Sequence, residues 1–253
     1  MRLRTTLAAA TGVLALSAAV APLAHADDHG TTTINRVVVN DGQPVVIGNS
    51  PTSIPFSVTF SDTTGTDGLI GYVDLWHASP HPKTQPGGSL LGDWENVDCH
   101  PVDATTVTCD GTVPVEPQED VLRNYLADDW NVAVNAGSST VTSYSTVQVK
   151  REAKLQAGVV PTAKPGKYKL RGSLTRADWE SGASQDYGNR PVKLQFRKEG
   201  GTKYSTVDTF TTNDAGLVTT TVKPTEGGSY RWSFAGNAST GAATSTDLYF
   251  DGV

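Results

Sequence analysis

Sulfur and histidine are scarce in this chain of 253 residues. Its single methionine is Met1, and its only cysteines are Cys99 and Cys109. All five histidines lie at or before His100, so the second half of the chain cannot hold a Ser-His-Asp triad. The chain also has no G-x-S-x-G motif, the turn that carries the nucleophile of many hydrolases. These absences exclude the commonest hydrolase sites and any site built on clustered thiolates.

Basic residues are outnumbered by acidic ones. The chain has 20 basic and 26 acidic residues, which gives a net charge of −6 at neutral pH. Nucleic acids and anionic membrane surfaces are bound mainly through lysine and arginine. The composition therefore argues against both classes of partner.

The one long apolar run lies at the start of the chain. Arg2 and Arg4 precede an apolar stretch over residues 7–23, which is followed by Ala24-His25-Ala26. This order of charge, apolar run and small-residue site is typical of a secretory signal peptide. We predict cleavage after Ala26 and a secreted, extracellular protein. We expect no membrane span, because no later stretch is apolar enough to cross a bilayer.

Helical periodicity is nearly absent from the rest of the sequence. Short alternating runs, such as residues 56–60 and 168–174, are separated by turn residues. About seven strands are predicted on each side of a charged step near Lys150, the number expected for an immunoglobulin-like (Ig-like) fold. The predicted fold class is therefore all-β, with two tandem Ig-like β-sandwich domains at residues 27–150 and 151–253, after the cleaved signal peptide at residues 1–26. One short helical turn is predicted within residues 117–126.

The two cysteines are predicted to form a disulfide. Cys99 and Cys109 flank a short turn, so they can lie opposite each other on adjacent strands. An exported protein favours the oxidised pair. Closing so short a loop stabilises the fold by about 3 kcal/mol at most, so the bond should fasten one hairpin only.

Acidic loops make calcium the first cofactor to consider. Calcium prefers oxygen ligands from loops, and strand-end loops can gather at one pole of a sandwich. The candidate ligands are Asp62, Asp67, Asp128 and Asp129. The alternative is that these residues only cap turns.

Loop tryptophans give a second possibility, a module that binds carbohydrate or cell wall. Trp94 and Trp179 each lie between an Asp and a Glu, which suits stacking on a sugar with hydrogen bonds to its hydroxyls. The alternative is that they cover one end of a sandwich. Asp178 and Glu180 are also a candidate pair of glycosidase carboxylates. Small sandwiches rarely carry a catalytic cleft, so we expect no enzyme activity.

Three segments of the second half, LTRADW (174–179), NRPVKLQFRK (189–198) and YRWSFAG (230–236), show a resemblance. Together with FSVTF (56–60) and the segment from Cys99 to Cys109, they resemble secreted two-domain Ig-like proteins of filamentous actinobacteria. Some members of that group are labelled calcium-binding, and the resemblance supplies no ligand residues. The resemblance implies little about function beyond favouring calcium slightly. From the whole sequence we predict a secreted, non-catalytic binding or structural protein with an unidentified extracellular or cell-wall partner. We expect a monomer.

Overall fold

The structure is a computed structural model that describes residues 32–79 and 84–252. These residues form eighteen strands and three short 3-10 turns, without any α-helix. The predicted signal peptide and its cleavage site lie outside the described residues. Within the described part of the chain, no helix is long and apolar enough to cross a membrane.

The first nine strands build one sandwich. They are β1 (Thr32–Val39), β2 (Val45–Ile47), β3 (Thr52–Asp62), β4 (Gly71–His77), β5 (Gly88–Leu90), β6 (Asp98–Pro101), β7 (Thr106–Val115), β8 (Asp129–Ala136) and β9 (Ser139–Arg151). One sheet has the order β1-β3-β7-β6, and the other has the order β2-β9-β8-β4-β5. Inward side chains alternate with outward ones along β4 and β8, which places the core between the two sheets.

The start of the chain contributes to both sheets of this sandwich. β1 pairs antiparallel with β3, whereas β2 pairs parallel with β9. The chain changes sheets at Asn40–Gly42, where the φ angles of all three residues are positive (48°, 52° and 74°). The start of the chain is thus divided between the two sheets, and this feature, together with the order of the remaining strands, is that of an Ig-like sandwich.

The other nine strands build a second sandwich with its own core. They are β10 (Ala153–Pro161), β11 (Tyr168–Asp178), β12 (Ala183–Asp186), β13 (Pro191–Lys198), β14 (Ser205–Thr211), β15 (Leu217–Val222), β16 (Gly228–Phe234), β17 (Ala243–Thr244) and β18 (Leu248–Phe250). β11 pairs with β10, β12 and β15, while β14, β13, β16 and β17 form the facing sheet, with β18 also paired to β16. The predicted all-β, Ig-like fold class is confirmed.

The disulfide prediction is also confirmed, whereas the helical turn is shorter than predicted. Cys99 on β6 and Cys109 on β7 are bonded and lie directly opposite each other. Within residues 117–126 only Asn124–Leu126 forms a 3-10 turn. Val121 just before it has a φ of 52°, which interrupts a helical path. The turn positions the carbonyl of Leu126, which accepts a hydrogen bond of 2.7 Å from the buried indole N–H of Trp130.

Candidate functional site

The four aspartates predicted to bind calcium lie at opposite poles of the first sandwich. Asp62 ends β3 and Asp67 follows in the next loop, whereas Asp128 and Asp129 lie at the start of β8. The far end of β8 pairs with Gly71, close to the loop that holds Asp67. At about 3.4 Å per residue, the eight residues of β8 separate the two pairs by roughly 24 Å. The expectation that they gather at one pole is wrong.

The carboxylate of Asp62 is occupied by hydrogen bonds to neighbouring residues. It accepts hydrogen bonds from the Thr32 hydroxyl (2.6 Å) and from the backbone N–H (2.9 Å) and hydroxyl (2.6 Å) of Thr64. These bonds, the one from Thr32 foremost, lower the pKa of Asp62. No group of three or more His, Cys, Asp or Glu side chains suited to a metal ion occurs within residues 32–79 and 84–252. Calcium binding therefore stays a prediction without an assembled site.

Trp179 is a structural residue at the junction of the two sandwiches. It follows β11, yet its side chain is 1% exposed and belongs to the core of the first sandwich. Its indole N–H donates to the carbonyl of Ile47 (3.1 Å), and its own carbonyl accepts a bond from the Gln118 amide (2.7 Å). The prediction of Trp179 as a surface for glycan stacking is wrong, because its ring is covered by protein on all sides.

The carboxylate of Asp178, beside Trp179, makes its hydrogen bonds within the same junction. Its carboxylate accepts hydrogen bonds from Asn124 Nδ2 (2.6 Å), Ser181 Oγ (2.8 Å) and Gln185 Nε2. Burial acts to raise the pKa of Asp178, but the bonds from Asn124, Ser181 and the Glu180 N–H outweigh it and lower the pKa. A carboxylate held in this way is a structural acceptor, unlike the half of a catalytic pair that the sequence allowed.

Arg151 completes the junction from the end of β9. Its Nε donates to the carbonyl of Ala177 at 2.6 Å, and its backbone bonds to Ser239 and Gly241. Burial, together with the nearby charge of Arg176, lowers the pKa of Arg151 to about 10. The guanidinium stays protonated at neutral pH and joins the two sandwiches.

Trp94 differs from Trp179 because its side chain is 54% exposed. It begins the 3-10 turn Trp94–Asn96, in the loop between β5 and β6. The loop is held by the Asp93 N–H, which donates to the Thr112 carbonyl (3.0 Å), and by the Asn96 amide, which donates to the Asp93 carboxylate (2.8 Å). The ring is thus presented to solvent on an anchored loop.

Trp94 borders a cleft of about 370 Å³. Its floor is a row of side chains on three adjacent strands, because Tyr72 lies opposite Asn135 and Asn135 lies opposite Thr140. Opposed residues in a sheet point to the same face. The walls come from the turns after β3 and β8, with the exposed Ile70 at the rim. This row was not predicted from the sequence, although the alternation of Tyr72 with buried residues along β4 marks it as outward-facing.

The polar groups of the cleft are fixed by one another. Asn135 accepts a hydrogen bond from the Thr140 hydroxyl (3.0 Å) and donates to the Asp74 carboxylate (3.3 Å). Asp74 also accepts from the Gly92 N–H at 2.9 Å. An exposed aromatic ring beside oriented amide and hydroxyl groups can pack against an apolar ring face and bond to hydroxyls around it.

A second cleft, of about 420 Å³, lies between β1 and β9. It is lined by Val37 to Val39, the segment 41–44 and residues 145–148 of β9. It contains no aromatic side chain, so it lacks the flat surface that the Trp94 cleft provides.

Comparisons with known proteins add little to this geometry. No protein-family model matches the chain, and no curated protein matches it. Among solved structures, bovine butyrophilin is 6% identical, with a TM-score of 0.30 over 85% of this chain and 99% of that one. The mouse nectin-like molecule 4 ectodomain is 10% identical, with a TM-score of 0.23 over 88% of this chain and 64% of that one. The calcium binding domain CBD12 of CALX1.1 is 7% identical, with a TM-score of 0.21 over 79% of each chain. Likenesses this weak carry no argument about a site, and the fold assignment rests on the strand order.

Proposed function

We propose that this protein is a secreted, non-catalytic binding protein whose ligand is a neutral carbohydrate held at the Trp94 cleft. The observation that carries the proposal is the combination of an exposed indole with the oriented row Tyr72, Asn135 and Thr140. A partner in the extracellular space or the cell wall fits the predicted signal peptide. The resemblance to secreted actinobacterial proteins is compatible with this role.

The chemistry of the cleft favours a sugar over other small ligands. Tyr72, Trp94, Asn135 and Thr140 carry no charge, and the carboxylate of Asp74 beside them accepts hydrogen bonds from the Gly92 N–H and the Asn135 amide. An anionic ligand would find no positive charge among these groups, whereas a sugar presents one apolar face and many hydroxyls. Such hydroxyls need the donors and acceptors that the row supplies.

Titration calorimetry with soluble neutral glycans tests the proposal. A panel of glucan, xylan, mannan and chitin oligosaccharides should contain at least one that binds the wild-type protein. Trp94→Ala should weaken that binding about tenfold or more, since one aromatic contact is lost. Tyr249→Ala is the matched control, because Tyr249 is similarly exposed (53%) but lies in the second sandwich. Equal affinities of wild type and Trp94→Ala would refute the proposed site.

A further inference from the structure

The row under the Trp94 cleft is the first of three rows on the outer face of the same sheet. Along β4 the outward residues alternate with buried ones, and along β8 they do the same. Each outward residue of β4 lies opposite an outward residue of β8. We name this surface the outer-face lane, and its residues are Tyr72, Asp74, Trp76, Asn131, Ala133 and Asn135.

A second aromatic ring, that of Trp76, lies across the lane. Its indole N–H donates to the carbonyl of Thr142 at 2.6 Å. Thr142 is on β9, two strands away from β4, and strands are about 4.8 Å apart, so the ring must pass over β8. Thr142 lies in the bulge of β9 that faces Ala133, where the pairing with β8 shifts register. Trp76 is therefore a partly exposed ring that lies across the sheet.

The polar groups around Trp76 are oriented as they are around Trp94. Asn131, directly opposite Trp76, accepts a hydrogen bond of 2.9 Å from the Ser143 hydroxyl. This bond fixes the orientation of the amide group. Both ends of the lane thus present an aromatic ring beside an oriented asparagine.

The charge of the lane restricts its ligand. It contains no lysine or arginine, and Asp74 is its one ionisable carboxylate, bonded to Gly92 and Asn135. A polyanion would gain nothing from this surface, and a protein strand would need an open sheet edge rather than a sheet face. The surface fits a polymer that is uncharged, rich in hydroxyls and apolar on its ring faces.

We propose that the ligand is an extended neutral polysaccharide, which runs along the outer-face lane from Trp94 and Tyr72 to Trp76. This inference rests on the proposed function, because it takes the Trp94 cleft as one end of the lane. Tyr72 and Trp76 are four residues apart on one strand, which corresponds to about 13 Å. A single sugar ring cannot span that distance, so the lane recognises the inside of a chain rather than one terminal sugar.

A length series of the best-binding oligosaccharide tests the lane. The affinity of the wild type should rise with chain length until the chain reaches Trp76, and then stay constant. Trp76→Ala should lower the affinity for long chains about tenfold and leave the shortest binding oligosaccharide unaffected. Trp94→Ala should weaken the binding of every length.

Two outcomes separate failure of the lane from failure of the cleft. If short and long chains bind equally well and only Trp94→Ala weakens them, the lane is wrong and the cleft stands. If no neutral glycan binds the wild type, both the lane and the cleft are wrong.

The variant Trp76→Phe is a control for misfolding, because it keeps an aromatic ring but loses the N–H bond to Thr142. We expect Trp76→Phe to retain part of the dependence of affinity on chain length, and Tyr249→Ala to retain all of it. A folded Trp76→Phe protein that binds every chain length with the affinity of the wild type would count against the lane.

Discussion

The tripeptide Asp-Trp-Glu occurs at two places in this protein, with opposite structural outcomes. At residues 93–95 it forms an exposed turn whose indole faces solvent, and at residues 178–180 it joins two domains through a buried indole. In each case an asparagine holds the aspartate, Asn96 at the first site and Asn124 at the second. The local sequence is the same, so the difference comes from what surrounds it.

The surroundings differ in one decisive respect. Trp179 meets an acceptor, the carbonyl of Ile47, and the apolar core of a neighbouring sandwich. Trp94 lies on a loop at the rim of a cleft, where more than half of its side chain is exposed. A buried indole stabilises the fold through apolar area and its hydrogen bond, whereas an exposed one retains its surface for a ligand. The comparison therefore separates a structural tryptophan from a candidate binding tryptophan.

The largest expected effect comes from removing the buried indole. Trp179→Ala should lower the free energy of unfolding by about 3–5 kcal/mol, because it leaves a cavity and removes the bond to Ile47. Chemical denaturation of the variant and the wild type measures this difference. A loss below about 1 kcal/mol would mean that Trp179 is not packed as described.

The two asparagines provide the next contrast. Asn124→Ala should lower the free energy of unfolding by about 2–3 kcal/mol. It removes the hydrogen bond that the Asn124 amide donates to the Asp178 carboxylate and the one that its oxygen accepts from the backbone N–H of Trp179. Asn96→Ala is the matched change at the exposed tripeptide and should alter stability by about 0.5 kcal/mol or less. Equal losses in the two variants, measured by denaturation, would remove the distinction between the sites.

Acid should weaken the buried site through Asp178. Its pKa is lowered in the folded protein, whereas the unfolded chain has a value of about 3.9. The unfolded state therefore binds protons first as the pH falls, and the stabilisation present above about pH 4 is lost as the pH drops toward the folded pKa. Unfolding curves at a series of acidic pH values should show this loss, and Asp178→Asn should reduce it. A variant with the acid sensitivity of the wild type would contradict this role.

The smallest expected effect on stability is that of Trp94→Ala. Its ring is mostly in water already, so the free energy of unfolding should change by about 0.5 kcal/mol or less. Thermal or chemical unfolding measures this. A loss comparable to that of Trp179→Ala would show that Trp94 supports the fold and would weaken its assignment to ligand binding.

Patterns local to one strand or one hairpin were predictable from the sequence. The alternation of apolar and polar residues predicted the strands, and the spacing of Cys99 and Cys109 predicted the disulfide. Both features depend on residues that are neighbours along the chain or across a single turn. The fold class followed from the number of strands. The predicted helical turn was too long because the backbone at Val121 takes a positive φ that its residue type does not suggest.

Features that depend on distant residues could not be predicted in this way. The burial of Trp179 needs Ile47, which is 132 positions away, and the separation of Asp62 from Asp128 needs the strand order. The outer-face lane depends on the pairing of β4 with β8, which brings Trp76 beside Asn131. Only the alternation along β4 hinted at it.

The most direct test of glycan binding at Trp94 and Trp76 observes all five indole N–H groups of the protein at once. Two-dimensional NMR of the labelled protein, titrated with the glycan that binds best, reports on Trp76, Trp94, Trp130, Trp179 and Trp232 separately. The signals of Trp94 and Trp76 should move with added glycan, while those of the buried Trp130, Trp179 and Trp232 should stay in place. Movement of Trp179 with a static Trp94, or no movement of any indole across the panel of neutral glycans, would contradict the proposed binding.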